Sequence, residues 1–134
     1  FYRYSCALDM ETRGLTREEV SALENRISYQ TPPGIPMAKS VIVDISGGGL
    51  RFISKAEYEK DSYVCCKYEL FIHGGVKMYE LVCLILSSKE LVNRNGEYEY
   101  RVKFVNLDND EREEIIQYIF EEERKNRRKE RGLR

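Results

Sequence analysis

The chain has 134 residues, of which 42% are hydrophobic and 34% charged, enough for one globular domain over 1–134 to build a core without disulfides or a metal. No apolar run approaches the roughly 18 residues that a membrane-spanning helix needs. A formal net charge of −1 denies the chain the global positive field of a nucleic-acid binder, so an anion it binds should be small and held at one place.

The chain opens on Phe1 rather than Met and carries no export signal, so it reads as a piece of a longer cytoplasmic protein. From Phe1 to Glu11 the residues Tyr2, Tyr4, Cys6, Leu8 and Met10 recur at period two, which predicts the first strand. Thr16 and Glu19 then form a capping box ahead of Val20, Leu23 and Ile27, predicting a short inserted helix within Thr16 to Asn25. Thr31-Pro32-Pro33-Gly34-Ile35-Pro36 withholds donors and fixes φ, so it is a loop returning the chain to the sheet.

Lys39 to Ile45 and Leu50 to Ser54 are β-rich runs separated by Gly47-Gly48-Gly49; Leu50 and Phe52 alternate with Arg51 and Ile53. Tyr63 to Ile72 and Val76 to Ser87 flank His73-Gly74-Gly75 and predict a hairpin, and Leu91 to Arg94 leads through Asn95-Gly96, a type I′ signal, into Tyr98 to Val105. These are about six strands with few helices between them. They must pair largely antiparallel and hide their edges by closing into a six-stranded barrel or a sandwich. Asp108 or Asn109 can cap a C-terminal helix over 108–131, acidic in its first turn and basic in its tail, as the macrodipole favours. Ile115, Ile116, Ile119 and Phe120 supply a stripe to cover one end of the barrel, whereas Glu121 to Arg131 holds no apolar residue and is expected to meet solvent or a partner.

Four cysteines without CxxC spacing read as packing thiols, with the adjacent Cys65 and Cys66 on opposite faces of a strand. A single histidine, His73, assembles neither a metal site nor a catalytic set, so no enzyme activity and no cofactor are expected. The sharpest local signal is Asp44-Ile45-Ser46-Gly47-Gly48-Gly49. Three glycines between strands require either positive φ or the close approach of another molecule. The Asp44 carboxylate can accept two N–H groups in one plane, as the N1/N2 edge of guanine offers, with the Ser46 hydroxyl as a second contact. The competing reading is an Asx turn bonding its own backbone beside a glycine bulge.

Asp44-x-Ser46-x-x-Gly49 resembles the D/N-x-S-x-x-G motif of PilZ domains, and Phe1-Tyr2-Arg3-Tyr4 resembles the end of that family's R-x-x-x-R motif running into the first strand. Asp110-Glu111-Arg112-Glu113 and Tyr118-Ile119-Phe120-Glu121 resemble the closing helix of flagellar-brake PilZ proteins. The resemblance spans Phe1 to about Arg128, with a longer connection over Leu15 to Pro36. It implies a mainly β, six-stranded antiparallel barrel that binds cyclic di-GMP between an arginine segment and the glycine turn. Arg3 would stack on a guanine and bond phosphate, Asp44 would read the guanine edge, Ser46 would support it, and Gly49 would let the ligand approach the backbone; Gly47, Gly48 and Arg51 are further candidates. The family's first arginine would lie four positions before Arg3, ahead of Phe1.

Arg13-Gly14-Leu15-Thr16-Arg17 shares the arginine spacing but precedes a helix signature rather than a strand, so Arg3 is the better assignment. The implied output is contact with a protein effector such as a flagellar motor component. The rivals are a PilZ-like docking module that binds no nucleotide and a barrel that stacks single-stranded nucleic acid on its ten tyrosines, which the charge balance disfavours.

Overall fold

In the computed structural model, residues 2–132 are described, with side chains through residue 129; Phe1 and the side chain of Arg131, both named in the reading above, lie outside these. The elements run β1 (Tyr4–Gly14), α1 (Arg17–Glu24), β2 (Ala38–Ile45), β3 (Gly49–Ser54), β4 (Tyr63–Ile72), β5 (Gly75–Glu90), β6 (Tyr98–Phe104) and α2 (Asn109–Gly132). The strands close into a barrel in the order β1-β2-β3-β6-β5-β4, and every neighbouring pair is antiparallel. Closure leaves no unpaired edge, which is how six short strands satisfy their backbone donors without helices on both faces.

Period-two alternation sends Ile42, Phe52, Tyr68, Leu81, Ile85, Tyr100 and Val102 into a continuous buried core. One end of the barrel is closed by the loop before β4. Tyr58 donates its N–H to the Tyr100 hydroxyl at 2.9 Å, that hydroxyl donates to the Ala56 carbonyl at 2.8 Å, and Tyr58 Oη lies 2.8 Å from Thr12 Oγ1. The other end is covered by α2, which starts where Asp108 Oδ1 accepts the Glu111 N–H at 2.7 Å.

The apolar stripe of α2 differs from the expected one. Ile115, Tyr118 and Ile119 are buried at i, i+3, i+4, whereas Phe120 is 50% exposed, because the helix presents the Tyr118 ring edge-on to Tyr4 at 6.4 Å. The helix beyond Glu121 also keeps contact with the barrel, through Asn126 Nδ2 donating to Tyr4 Oη at 3.2 Å and Lys125 Nζ lying 5.8 Å from the Phe71 ring centre.

The β4–β5 hairpin turns on His73 and Gly74 with φ of 52° and 79°, the type I′ pattern. The β5–β6 connection departs from expectation. β5 continues unbroken to Glu90, and of Asn95-Gly96 only Gly96 has positive φ, at 79°. Backbone bonds from Arg94 N to Leu91 O and from Glu97 N to Arg94 O make two successive turns in place of a type I′ hairpin.

β1 starts and ends three residues later than expected, running on to Gly14, where Arg13 is held against α1: its Nη1 and Nη2 donate to Glu19 Oε1 and Oε2 at 2.6 and 2.8 Å. The capping box is present, with the Glu19 N–H donating to Thr16 Oγ1 at 3.2 Å and the Thr16 N–H to Glu19 Oε1 at 2.9 Å. Cys66 faces the core while Cys65 pairs with Arg13 across β1–β4, so the two adjacent thiols point to opposite sides, and both are buried. Among the described residues no helix is long and apolar enough to cross a membrane.

Candidate functional site

The turn between β2 and β3 lies at the α2 end of the barrel. β2 pairs Ile42 with Phe52 but Asp44 with Arg51, so one extra residue stands between them. This bulge re-aims Asp44 from the core face, where strict alternation from Ile42 would put it, to the outer face. There Asp44 Oδ2 accepts from Arg51 Nε at 2.8 Å, and Arg51 Nη1 donates to Glu99 Oε1 of β6 at 3.0 Å. Oδ1 of Asp44 has no partner among the described residues. Burial, and then the Asp44 charge, push the neighbouring Cys6 thiol up to about 11.

Asp44 therefore makes no Asx turn; the turn is closed by Ser46. Its Oγ accepts from the Gly48 and Gly49 N–H groups at 3.2 and 3.3 Å, and its own N–H donates to the Gly49 carbonyl at 2.9 Å. Gly49 pairs with Lys103 of β6, and a Cβ at this position would fall deep inside the Val102 carbonyl oxygen and 3.0 Å from Lys103 Cα. The chain's own β6 thus makes a close approach that requires this glycine. The positive-φ glycines among the described residues are Gly34, Gly74 and Gly96, so the triple glycine is not there for left-handed backbone.

Arg3, immediately before β1, meets this turn. With Asp44, Ser46, Gly48 and Gly49 it lines a groove of about 130 Å³, joined by Leu86 and by Arg101 and Lys103 from β6. Gly47 faces the other way, into an apolar hollow of about 210 Å³ lined by Tyr2, Ile116, Ile119 and Phe120. Arg51 stands behind Asp44 rather than in the groove. No local motif singles out Arg101 and Lys103. Period two in β6 puts them on the outer face with Glu99, but which strand they lie beside is set by the long-range β3–β6 pairing.

The alternative arginine pair is structural on the Arg13 side, since that guanidinium is 9% exposed and engaged by Glu19 at the far end of β1. That bond, then the other donors around it, holds the Glu19 carboxyl down at about 2. Among the described residues no three His, Cys, Asp or Glu side chains converge as a metal site. A larger hollow of about 490 Å³, walled by Leu8, Met10, Lys39, Lys67, Tyr68 and Met78, opens beside β1 just beyond the Glu11–Gly14 stretch that pairs with β4. It contains none of the motif residues.

A closed six-stranded antiparallel barrel with a D-x-S-x-x-G turn between β2 and β3 and a helix over one end defines a class of small β-barrel domain. The PilZ domain model matches residues 15–121, and the chain belongs to the PilZ domain family. PilZ domains are ligand-binding and effector-interaction modules, not enzymes. The matched span contains the Asp44–Gly49 turn and starts after Arg3.

Solved structures with the same fold include the inhibitor of motility MotI/DgrA of Bacillus subtilis, with TM-score 0.66, 9% identity, 90% of this chain and 49% of that one covered. YcgR of Escherichia coli in complex with c-di-GMP gives TM-score 0.65 and 16% identity, covering 99% of this chain and 49% of that one. The PilZ domain of YcgR with c-di-GMP gives 0.61 and 14%, covering 96% and 93%. The chain spans about half the length of the first two proteins. The comparison with curated proteins returned no match.

Proposed function

We propose that this domain is a cytoplasmic receptor for cyclic di-GMP that binds the dinucleotide over the Asp44–Gly49 turn and relays it to a protein partner. The observation that carries this reading is the convergence of Arg3 with Asp44, Ser46, Gly48 and Gly49 on one groove, from segments some 40 residues apart. Asp44, turned outward by the bulge and held by Arg51, offers Oδ1 to the guanine N1/N2 edge. Arg3, exposed at the groove mouth, stacks on the base and bonds phosphate. Ser46 and Gly48 keep the turn in shape beneath the ligand.

The solved YcgR complexes, whose ligand is c-di-GMP, support the choice of ligand, and MotI, an inhibitor of motility, supports an output in motility. Tyr2, next to Arg3, lines the hollow against Ile116, Ile119 and Phe120. Ordering of the arginine segment by ligand would therefore be felt at α2 and its exposed Phe120, the surface a motor component would meet.

Calorimetric titration with cyclic di-GMP and, separately, cyclic di-AMP tests the reading. Adenine presents no N1–H/N2–H pair to Oδ1, so saturable binding of the guanine dinucleotide alone is expected, weakened about 10-fold or more by Arg3→Ala. Equal binding of both, or of neither, would refute it.

A further inference from the structure

We infer that the outer face of β6 supplies a second anion contact for the bound dinucleotide, with Arg101 and Lys103 seating its phosphodiester; this rests on the receptor reading above. The inference starts from an arrangement of charge that the barrel does not need. Arg51 of β3 stands directly opposite Arg101 of β6, a like-charge pair that destabilises a sheet. Both carboxylates within reach, Asp44 and Glu99, pair with Arg51, and among the described residues neither pairs with Arg101. Arg101 and Lys103 form no ion pair among the described residues, are exposed, and lie two apart on one face of one strand.

The residue opposite Lys103 is Gly49, which has no side chain to cover it. Across the groove stands Arg3, also without an ion pair among the described residues. Three cations from two segments thus surround about 130 Å³ of space that holds one carboxylate, Asp44, whose Oδ2 is bonded to Arg51. This arrangement suits a small dianion bridging the groove, with Arg3 on one side and the β6 pair on the other.

The test is titration of cyclic di-GMP at several salt concentrations into the wild type, an Arg101→Gln/Lys103→Gln double variant, an Arg101→Lys/Lys103→Arg exchange, and Lys89→Gln as a control on an exposed charge outside the groove, with thermal melts of each. The double variant should bind about 10–100-fold more weakly, with a flatter dependence of log Kd on log salt. The exchange should keep most of the affinity. Because the double variant relieves repulsion of Arg51, its melting temperature should stay level or rise.

A double variant that binds and responds to salt as the wild type and Lys89→Gln do would overturn the inference while leaving the receptor reading intact. A double variant that loses affinity together with a fall in melting temperature would assign the pair a structural role and equally overturn it. A wild type that does not bind cyclic di-GMP at all would remove both readings.

Discussion

Gly49 is the residue whose identity the fold constrains most tightly. A methyl group there would collide with the β6 backbone at Val102 and Lys103, and backbone cannot rotate aside as a side chain does. Gly49→Ala is expected to cost about 1–3 kcal/mol in urea denaturation, even with no ligand present. Unchanged stability would show that β3 and β6 can separate at this point. The sequence made the glycine conspicuous without revealing its cause, because the approaching atoms lie more than 50 residues away along the chain. Asp44 and Ser46 were legible as a pair, yet their division of labour was not. The bulge at Val43 sends Asp44 outward to Arg51, and Ser46 alone bonds the turn backbone. A bulge is an outcome of register between two strands, which no local pattern encodes.

At the level of elements, local chemistry was a good guide where a motif closes on itself. Thr16 and Glu19 satisfy each other's backbone within one turn, and His73-Gly74 fixes a two-residue hairpin, so both were readable from a few residues. Asn95-Gly96 misled because β5 runs past the expected break to Glu90 and pairs with β6 as far as Tyr98, leaving a wider loop that the dipeptide does not determine. Phe120 misled because either of two neighbouring stripes on α2 could face the barrel, and the Tyr4–Tyr118 contact favours one of them.

The α1 junction carries an acid-sensitive link. The Arg13 guanidinium, together with Thr16 and Thr31, lowers the Glu19 carboxyl from 4.5 in the unfolded chain to about 2. The unfolded state therefore binds more protons between these values, so the stabilisation is complete above about pH 4.5 and is lost as pH falls towards 2. Melting followed from pH 5 down to pH 2 should show this loss in the wild type and a shallower slope in Glu19→Gln. Identical slopes would mean that the Arg13–Glu19 bridge contributes little to the folded state.

For the molecule as a whole, the barrel holds its two ends for different purposes. The Tyr58 loop plugs one end with an aromatic and hydroxyl network, and α2 caps the other, beside the groove. The site thus sits where the arginine segment, the glycine turn and α2 meet, which is the arrangement a receptor needs if ligand at one surface is to be read at another. The most direct test is calorimetric titration of cyclic di-GMP into the wild type and Asp44→Ala, with thermal melts of both. Asp44 is buried, but its partner Arg51 is partly exposed and keeps Glu99, so loss of the pair should cost about 1–3 kcal/mol and leave the barrel folded. Loss of two charge-assisted bonds to guanine should weaken binding at least ~100-fold. Saturable binding by the wild type and none by a still-folded Asp44→Ala is the expected result, and equal binding by the two proteins would contradict it.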